Sequence, residues 1–208
     1  MSLLAETIRP IAWPFIMAAF RVRVVGRENV PTTGGVILAG NHVSYMDPVL
    51  LWEFAPRRTH FMAKSELFKG FVGWFLSRVY AFPVVRGSAD RTAITTATKL
   101  LQDGEIVGIF PEGTRSSDGE AGEAHGGVSF IAMRAGVPVV PVAFVGTEKV
   151  LPRGQKFIRP ARVSISFGAP IDPADFTEGS RKERMEALTA TIMRRIGEEL
   201  DSARGANR

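Results

Sequence analysis

Short runs rich in Val and Ile punctuate the chain at Val36 to Ala39, His60 to Ala63, Phe82 to Val85, Ile106 to Phe110, Val139 to Val145 and Val163 to Phe167. Apolar runs of this length, with many β-branched residues and little polar alternation, predict strands buried on both faces. Between several of them the period lengthens to that of a helix. Ala93, Ile94, Ala97, Leu100 and Leu101 share one helical face that Gly104 ends, and Phe130, Ile131 and Met133 precede Gly136 in the same way. A last helix opens on a capping box, Ser180 with Glu183 three residues on, and then places Met185, Leu188, Ile192, Ile196 and Leu200 along one stripe. Strands alternating with helices predict an α/β fold, a central mixed but largely parallel sheet covered by helices. Ligands of such sheets sit beyond the strand C-terminal ends, so the loops there are where chemistry is expected.

Two apolar stretches stand apart from this alternation. Pro10 to Phe20 is bounded by Arg9 and Arg21 and is too short for a bilayer span, which needs about 20 residues. Glu6, Pro10 and Pro14, with no small-residue cleavage site before Arg21, argue against a signal peptide. The second stretch, Phe68 to Val79, contains Phe71, Val72, Trp74, Phe75 and Leu76 and is broken by Lys69 and Arg78. Both fit core helices, and both fit interfacial elements with Trp13 and Trp74 at headgroup level. No repeat or linker divides the chain. The expected organisation is an amphipathic helical docking element at residues 1–24 and one α/β domain at residues 25–208.

Composition changes the picture in two ways. The 208 residues are 45% hydrophobic and 23% charged, close to the average globular domain, and they contain no cysteine. Thiol nucleophiles, disulfides and cysteine-bound metals are therefore excluded. Lys and Arg number 26 against 21 Asp and Glu, a formal charge of +5, which points to an anionic partner: nucleic acid, an anionic bilayer or a phosphate ester.

Three strand ends narrow the choice. After Val36 to Ala39 the chain reads Gly40-Asn41-His42-Val43-Ser44-Tyr45-Met46-Asp47-Pro48. Asp47 before Pro48 predicts a helix start with the carboxylate as N-cap, and the loop between can fold that carboxylate back onto the His42 imidazole. A histidine held in this way has one fixed tautomer and a more basic second nitrogen, as a general base acting on an alcohol requires. After Ile106 to Phe110 come Pro111-Glu112-Gly113-Thr114-Arg115, a carboxylate, a flexible backbone, a hydroxyl and a guanidinium suited to a phosphate. Phe82 to Val85 delivers Arg86 to the same edge.

Together Asn41-His42-x4-Asp47, Phe110-Pro111-Glu112-Gly113-Thr114-Arg115 and Val137-Pro138-Val139-Val140-Pro141-Val142, in that order, resemble the PlsC-type glycerolipid acyltransferases over about residues 25 to 170. The resemblance implies His42 as general base on the acceptor hydroxyl and Asp47 as its orienting partner. It implies Glu112, Gly113, Thr114 and Arg115 as the glycerol-phosphate site, with Arg86 and Lys64 as further contacts and Pro141 shaping the floor. Two positions depart from the pattern. Tyr80 stands where the arginine-bearing motif usually begins with glycine, which would reshape the entrance near Arg86, and His125 stands where many members carry lysine.

The reaction so implied is transfer of a fatty acyl group from an acyl thioester, acyl-CoA or acyl carrier protein, to the free hydroxyl of 1-acyl-sn-glycerol 3-phosphate, giving phosphatidic acid. Glycerol 3-phosphate or another lysolipid is the alternative acceptor, and a non-catalytic membrane-binding module is the distant one. No cofactor and no metal is expected, since His60 and His125 show no ligand spacing with His42. Nor is a nucleic-acid partner, because no basic tract interleaves with aromatics. Phe68, Phe71, Trp74 and Phe75 are the expected wall of an acyl-chain groove. Arg9, Arg21 and Arg23 are expected to face anionic lipid, with the protein peripheral or monotopic on the cytoplasmic face of the membrane.

Overall fold

The computed structural model describes residues 3–85, 90–113, 126–152, 155 and 157–206. Seven strands form one sheet in the order β1-β7-β6-β2-β5-β3-β4: β1 (Arg23–Val25), β2 (Val36–Gly40), β3 (Thr59–Lys64), β4 (Ala81–Val84), β5 (Ile106–Ile109), β6 (Val139–Val145) and β7 (Ser164–Phe167). Every neighbouring pair is parallel except β6 with β7, so β1 and β7 run against the other five. The sheet is thus mixed and largely parallel, as the pattern predicts. β1 is the strand the pattern does not reveal: three residues, two of them exposed, carry no apolar run to recognise.

Strand side chains alternate between two cores. Val36 and Leu38 of β2, with Val140, Val142 and Phe144 of β6, face one side, where they meet α1 (Leu3–Phe20) and α2 (Met46–Phe54). Ile37 and Ala39, with Val139 and Ala143, face the other, beneath α4 (Arg91–Gln102), α5 (Gly127–Ala135) and α7 (Arg181–Ala206). Burial on both faces explains the unbroken Val/Ile runs. The α7 stripe inserts Leu188, Ile192, Ile196 and Leu200, all buried, and Ser180 and Glu183 exchange the two bonds of the capping box. α3 (Gly70–Arg78) lies beside the edge strand β4, and the single turn α6 (Thr147–Val150) follows β6.

α1 is tied to the domain by polar as well as apolar contacts. Trp13 meets Phe54 with ring centroids 4.5 Å apart, and Ile8, Ile16 and Met17 pack on the same core. The Arg9 guanidinium donates to the main-chain oxygens of Glu53 and Ala55, and Arg27 Nε donates to that of Phe54 at 3.0 Å. Two cations therefore satisfy the carbonyls that end α2, where the helix dipole is negative. The Arg9 guanidinium is thus engaged with the end of α2. No helix among the described residues is long and apolar enough to cross a membrane.

Candidate active site

The loop from β2 into α2 is organised around one carboxylate. Asp47 does not cap α2: the helix begins at Met46 with Tyr45 at the cap position, and Asp47 lies inside the first turn. Its Oδ2 instead accepts from the Val43 amide at 2.8 Å and the Ser44 amide at 2.7 Å, and faces His42 Nδ1 at 2.9 Å. Ser44 Oγ takes over part of the cap's task by accepting from the Met46 amide at 3.2 Å. The four-residue spacing is what lets the backbone wrap onto the carboxylate and bring the imidazole with it. With a carboxylate at Nδ1, that nitrogen carries the proton and Nε2 keeps its lone pair.

His42, Asp47 and Glu112 are all buried. The imidazole lies against Phe110, ring centroids 4.3 Å apart and planes 22° from parallel, so one face is covered while the edge is held by Asp47. Glu112 Oε1 accepts from the His42 amide at 3.4 Å, which joins the β2 and β5 loops. Gly113 follows at φ +64°, a conformation glycine adopts without a Cβ clash, and its amide donates to Phe110 at 3.0 Å. Asn41 is a residue whose role the sequence does not disclose. Its amide donates to the Phe144 carbonyl at 3.1 Å and accepts from the Phe144 amide at 2.8 Å, clamping the loop to β6. The readable signal is a polar side chain placed where a strand end should still be apolar.

Two clefts meet at Met62 and Phe110. The first, of about 250 Å³, runs between α2 and α3 over β3 and β4 and is almost wholly apolar. His42, Tyr45 and Lys64 stand at its loop end, and Trp52, Phe61 and Ala81 line it further back along the same elements. Phe61 reaches this position because Gly108 opposite leaves no room for a Cβ, which would stand 2.8 Å from the Phe61 ring. The second, of about 580 Å³, lies on the other side of Phe110 between the N-termini of α4 and α5, lined by Asp90, Gly113, Gly126 and Gly127 among apolar residues.

Several expected site residues lie elsewhere. Of the proposed groove wall only Phe75 lines the apolar cleft, joined by Leu76 and Val79. Phe71 and Trp74 point outward and stack on one another at 5.6 Å, and Phe68 is half-buried off the cleft. A helix offers one face to a cleft, and the helical period puts Phe75, Leu76 and Val79 on it. Lys64 sits at the mouth of the apolar cleft, 3.1 Å from Glu66, and not in the glycine-lined one. Pro141 is buried in mid-strand against Gly168 and lines neither cleft. Tyr80 lines neither cleft either. It takes φ +65° ahead of β4, between Val79 and Ala81, which line the apolar cleft, with its ring 4.9 Å from the Arg58 guanidinium and 5.3 Å from His60. Arg86, Thr114, Arg115 and His125 lie outside the described residues.

A family model described as Acyltransferase matches residues 21–145, which include the whole His42 to Glu112 constellation. The 1-acyl-sn-glycerol-3-phosphate acyltransferase of Bacillus subtilis is 37% identical over 179 residues, covering 85% of this chain and 87% of that protein. The chloroplastic 1-acyl-sn-glycerol-3-phosphate acyltransferase LPAT1 of Arabidopsis thaliana is 31% identical over 73% of this chain, which spans 44% of its length. Among solved structures, the 1-acyl-sn-glycerophosphate acyltransferase PlsC of Thermotoga maritima superposes with a TM-score of 0.77 at 29% identity, covering 94% of this chain and 79% of that one. With its histidine and carboxylate at the strand ends and a matching sheet behind them, the chain belongs to the PlsC-type glycerolipid acyltransferases.

Proposed function

We propose that the protein transfers a fatty acyl group from an acyl thioester to the free hydroxyl of 1-acyl-sn-glycerol 3-phosphate, forming phosphatidic acid for phospholipid synthesis. The observation that carries this reading is the His42–Asp47 pair at the mouth of a slot lined almost entirely by apolar side chains. His42 Nε2 takes the acceptor hydroxyl proton as the oxygen attacks the thioester carbonyl. The tetrahedral intermediate then collapses, the C–S bond breaks and the departing sulfur takes that proton back from the imidazolium. Asp47 stabilises the imidazolium in between, a triad's logic with the substrate hydroxyl in place of serine. No cofactor enters these steps.

The apolar slot suits the acyl chain of the donor. The glycine-lined cleft suits the acceptor headgroup, since the α5 N-terminus beside Gly113 offers backbone N–H groups. Arg86 is four residues before Asp90 in the chain and Arg115 two after Gly113, and Asp90 and Gly113 both line this cleft. A lipid acceptor is met at a membrane, and Ile11 and Phe15 on α1 with Phe71 and Trp74 on α3 are exposed apolar side chains for a peripheral or monotopic contact with anionic lipid at the cytoplasmic face. The test is the purified protein with a panel of lysolipid and glycerol-phosphate acceptors against labelled acyl-CoA and acyl carrier protein thioesters, products resolved by mass. Phosphatidic acid from lysophosphatidate, lost in His42→Ala, is the expected result. Turnover that survives His42→Ala would remove the base.

A further inference from the structure

Exposed apolar side chains are distributed unequally over the molecule. α4, α5 and α7 cover one face of the sheet, and among the described residues they leave no large hydrophobic side chain exposed. Elsewhere such side chains belong mostly to α1, α2 and α3; outside these helices Val25, Tyr45, Leu67 and Val85 are exposed singly, whereas Phe157 and Ile158, neighbours in the loop between α6 and β7, are exposed as a pair, at 81% and 56%. This loop does not lack core contacts that could have taken them. Leu151 and Ala161, on either side, pack against the core shared by α1 and α2. The loop is also pinned, with the Arg159 amide donating to Val150 at 2.8 Å and Ser44 Oγ to the Leu151 carbonyl at 3.3 Å. Ser44 is two residues from His42, so the exposed pair belongs to a loop that touches the active-site loop.

Basic residues flank the pair in the chain. Lys149, Arg153, Lys156, Arg159 and Arg162 fall in a stretch with no acidic residue before Asp172. Of these Lys149, Arg159 and Arg162 are described and exposed. An exposed Phe with exposed Arg159 and Arg162 close to it in the chain matches the boundary between headgroups and acyl chains, where the ring enters and the cations stay with the phosphates. A nucleic-acid strand stacks successive bases on successive aromatic rings, and here one ring stands beside an aliphatic Ile158.

We propose that this loop is a bilayer contact separate from α1 and α3: Phe157 and Ile158 insert into an anionic phospholipid surface, and the basic residues around them pair with its headgroups. Only the purpose of the contact rests on the lysolipid acyltransferase reading. A second anchor beside Ser44 fixes how the mouth of the active site is turned toward the membrane, where α1 alone would leave the domain free to rotate.

Co-sedimentation of the full chain with phosphatidylcholine vesicles, with and without phosphatidylglycerol and in the absence of acyl donor, tests this. The wild type is expected to partition more strongly when phosphatidylglycerol is present, and the double variant Phe157→Ser, Ile158→Ser to bind at least about tenfold more weakly. Arg159→Glu with Arg162→Glu should erase the preference for phosphatidylglycerol, and added salt should do the same in the wild type. Both double variants should keep wild-type turnover on a short-chain, detergent-dispersed acceptor. Undiminished vesicle binding by the serine variant would overturn the proposal. So would a changed sedimentation mass with vesicle binding intact, which would assign the patch to a second copy of the chain. Absence of acyl transfer by the wild type would overturn the enzymatic reading instead and leave the vesicle result standing.

Discussion

Asp47 Oδ2 is shared between the His42 imidazole, 2.9 Å away, and the backbone amides of Val43 and Ser44. One oxygen thus folds the loop and sets the tautomer. Asparagine can preserve only part of this, because its amide nitrogen is a donor and meets donors here. Asp47→Asn is expected to lower kcat by roughly 10²- to 10⁴-fold, the range for a mispositioned base, with a smaller effect on KM. Steady-state kinetics on the lysolipid acceptor measure it, and a variant whose KM rises while kcat holds would show that Asp47 serves binding and not the base.

Trp52 and Phe61 line the apolar cleft together with Val79 and Ala81, the last being the β4 neighbour of Phe61. If the acyl chain occupies this slot, its length is read there. Trp52→Leu keeps an apolar residue and opens the slot, at a stability cost of about 1–3 kcal/mol. The expected outcome is a shift of kcat/KM toward longer acyl thioesters, while Phe71→Ala and Trp74→Ala, which are off the cleft, leave chain-length preference unchanged. An unaltered profile in Trp52→Leu would place the chain elsewhere.

Glu53 is fully buried in α2, and its two carboxylate oxygens have no hydrogen-bond partner among the described residues. Burial raises its pKa from 4.5 to about 7, against the opposing pull of the Arg9 guanidinium. As pH rises from 4.5 to about 7 the unfolded chain loses this proton while the folded chain keeps it, so stability falls across that window and levels off above it. The contribution is on the order of 3 kcal/mol. Urea unfolding of the wild type should show this decline, and Glu53→Gln should flatten it and be the more stable protein at pH 8. Parallel profiles for the two would mean that Glu53 ionises freely in the fold.

Tyr80 holds a left-handed conformation, φ +65°, beside Arg58 and His60, and lines neither cleft. Tyr80→Gly relieves backbone strain of about 1–2 kcal/mol but gives up the packed ring and its cation contact, worth about 2–3 kcal/mol. A modest net loss of stability with unchanged kcat and KM is expected. Altered acceptor selectivity would restore the tyrosine to the entrance.

Much of the architecture was legible before any coordinates, because burial on both faces leaves a mark on composition. Runs such as Val36 to Ala39 and Val139 to Val145 have no polar alternation to confuse them, and the α7 stripe needs only the helical period. The His-x4-Asp spacing and the Pro-Glu-Gly-Thr-Arg segment likewise name their chemistry in the order of residues alone. What could not be read there depends on which direction a side chain faces once elements pack. Phe71, Trp74 and Phe75 are equivalent as letters, and only the placement of α3 sends one into the cleft and two outward. Asp47 before Pro48 satisfies the rule for a helix cap, yet the carboxylate is drawn back to the loop because two free amides and an imidazole lie within its reach. Fold class, family and the residues that can do acid–base work follow from the order of residues alone, because each leaves a local pattern of burial or spacing. Packing settles that Asn41 and Phe110 hold His42 in place, that two clefts meet at Met62 and Phe110, and that α4, α5 and α7 leave no large hydrophobic side chain exposed among the described residues, since each depends on contacts between residues far apart in the chain.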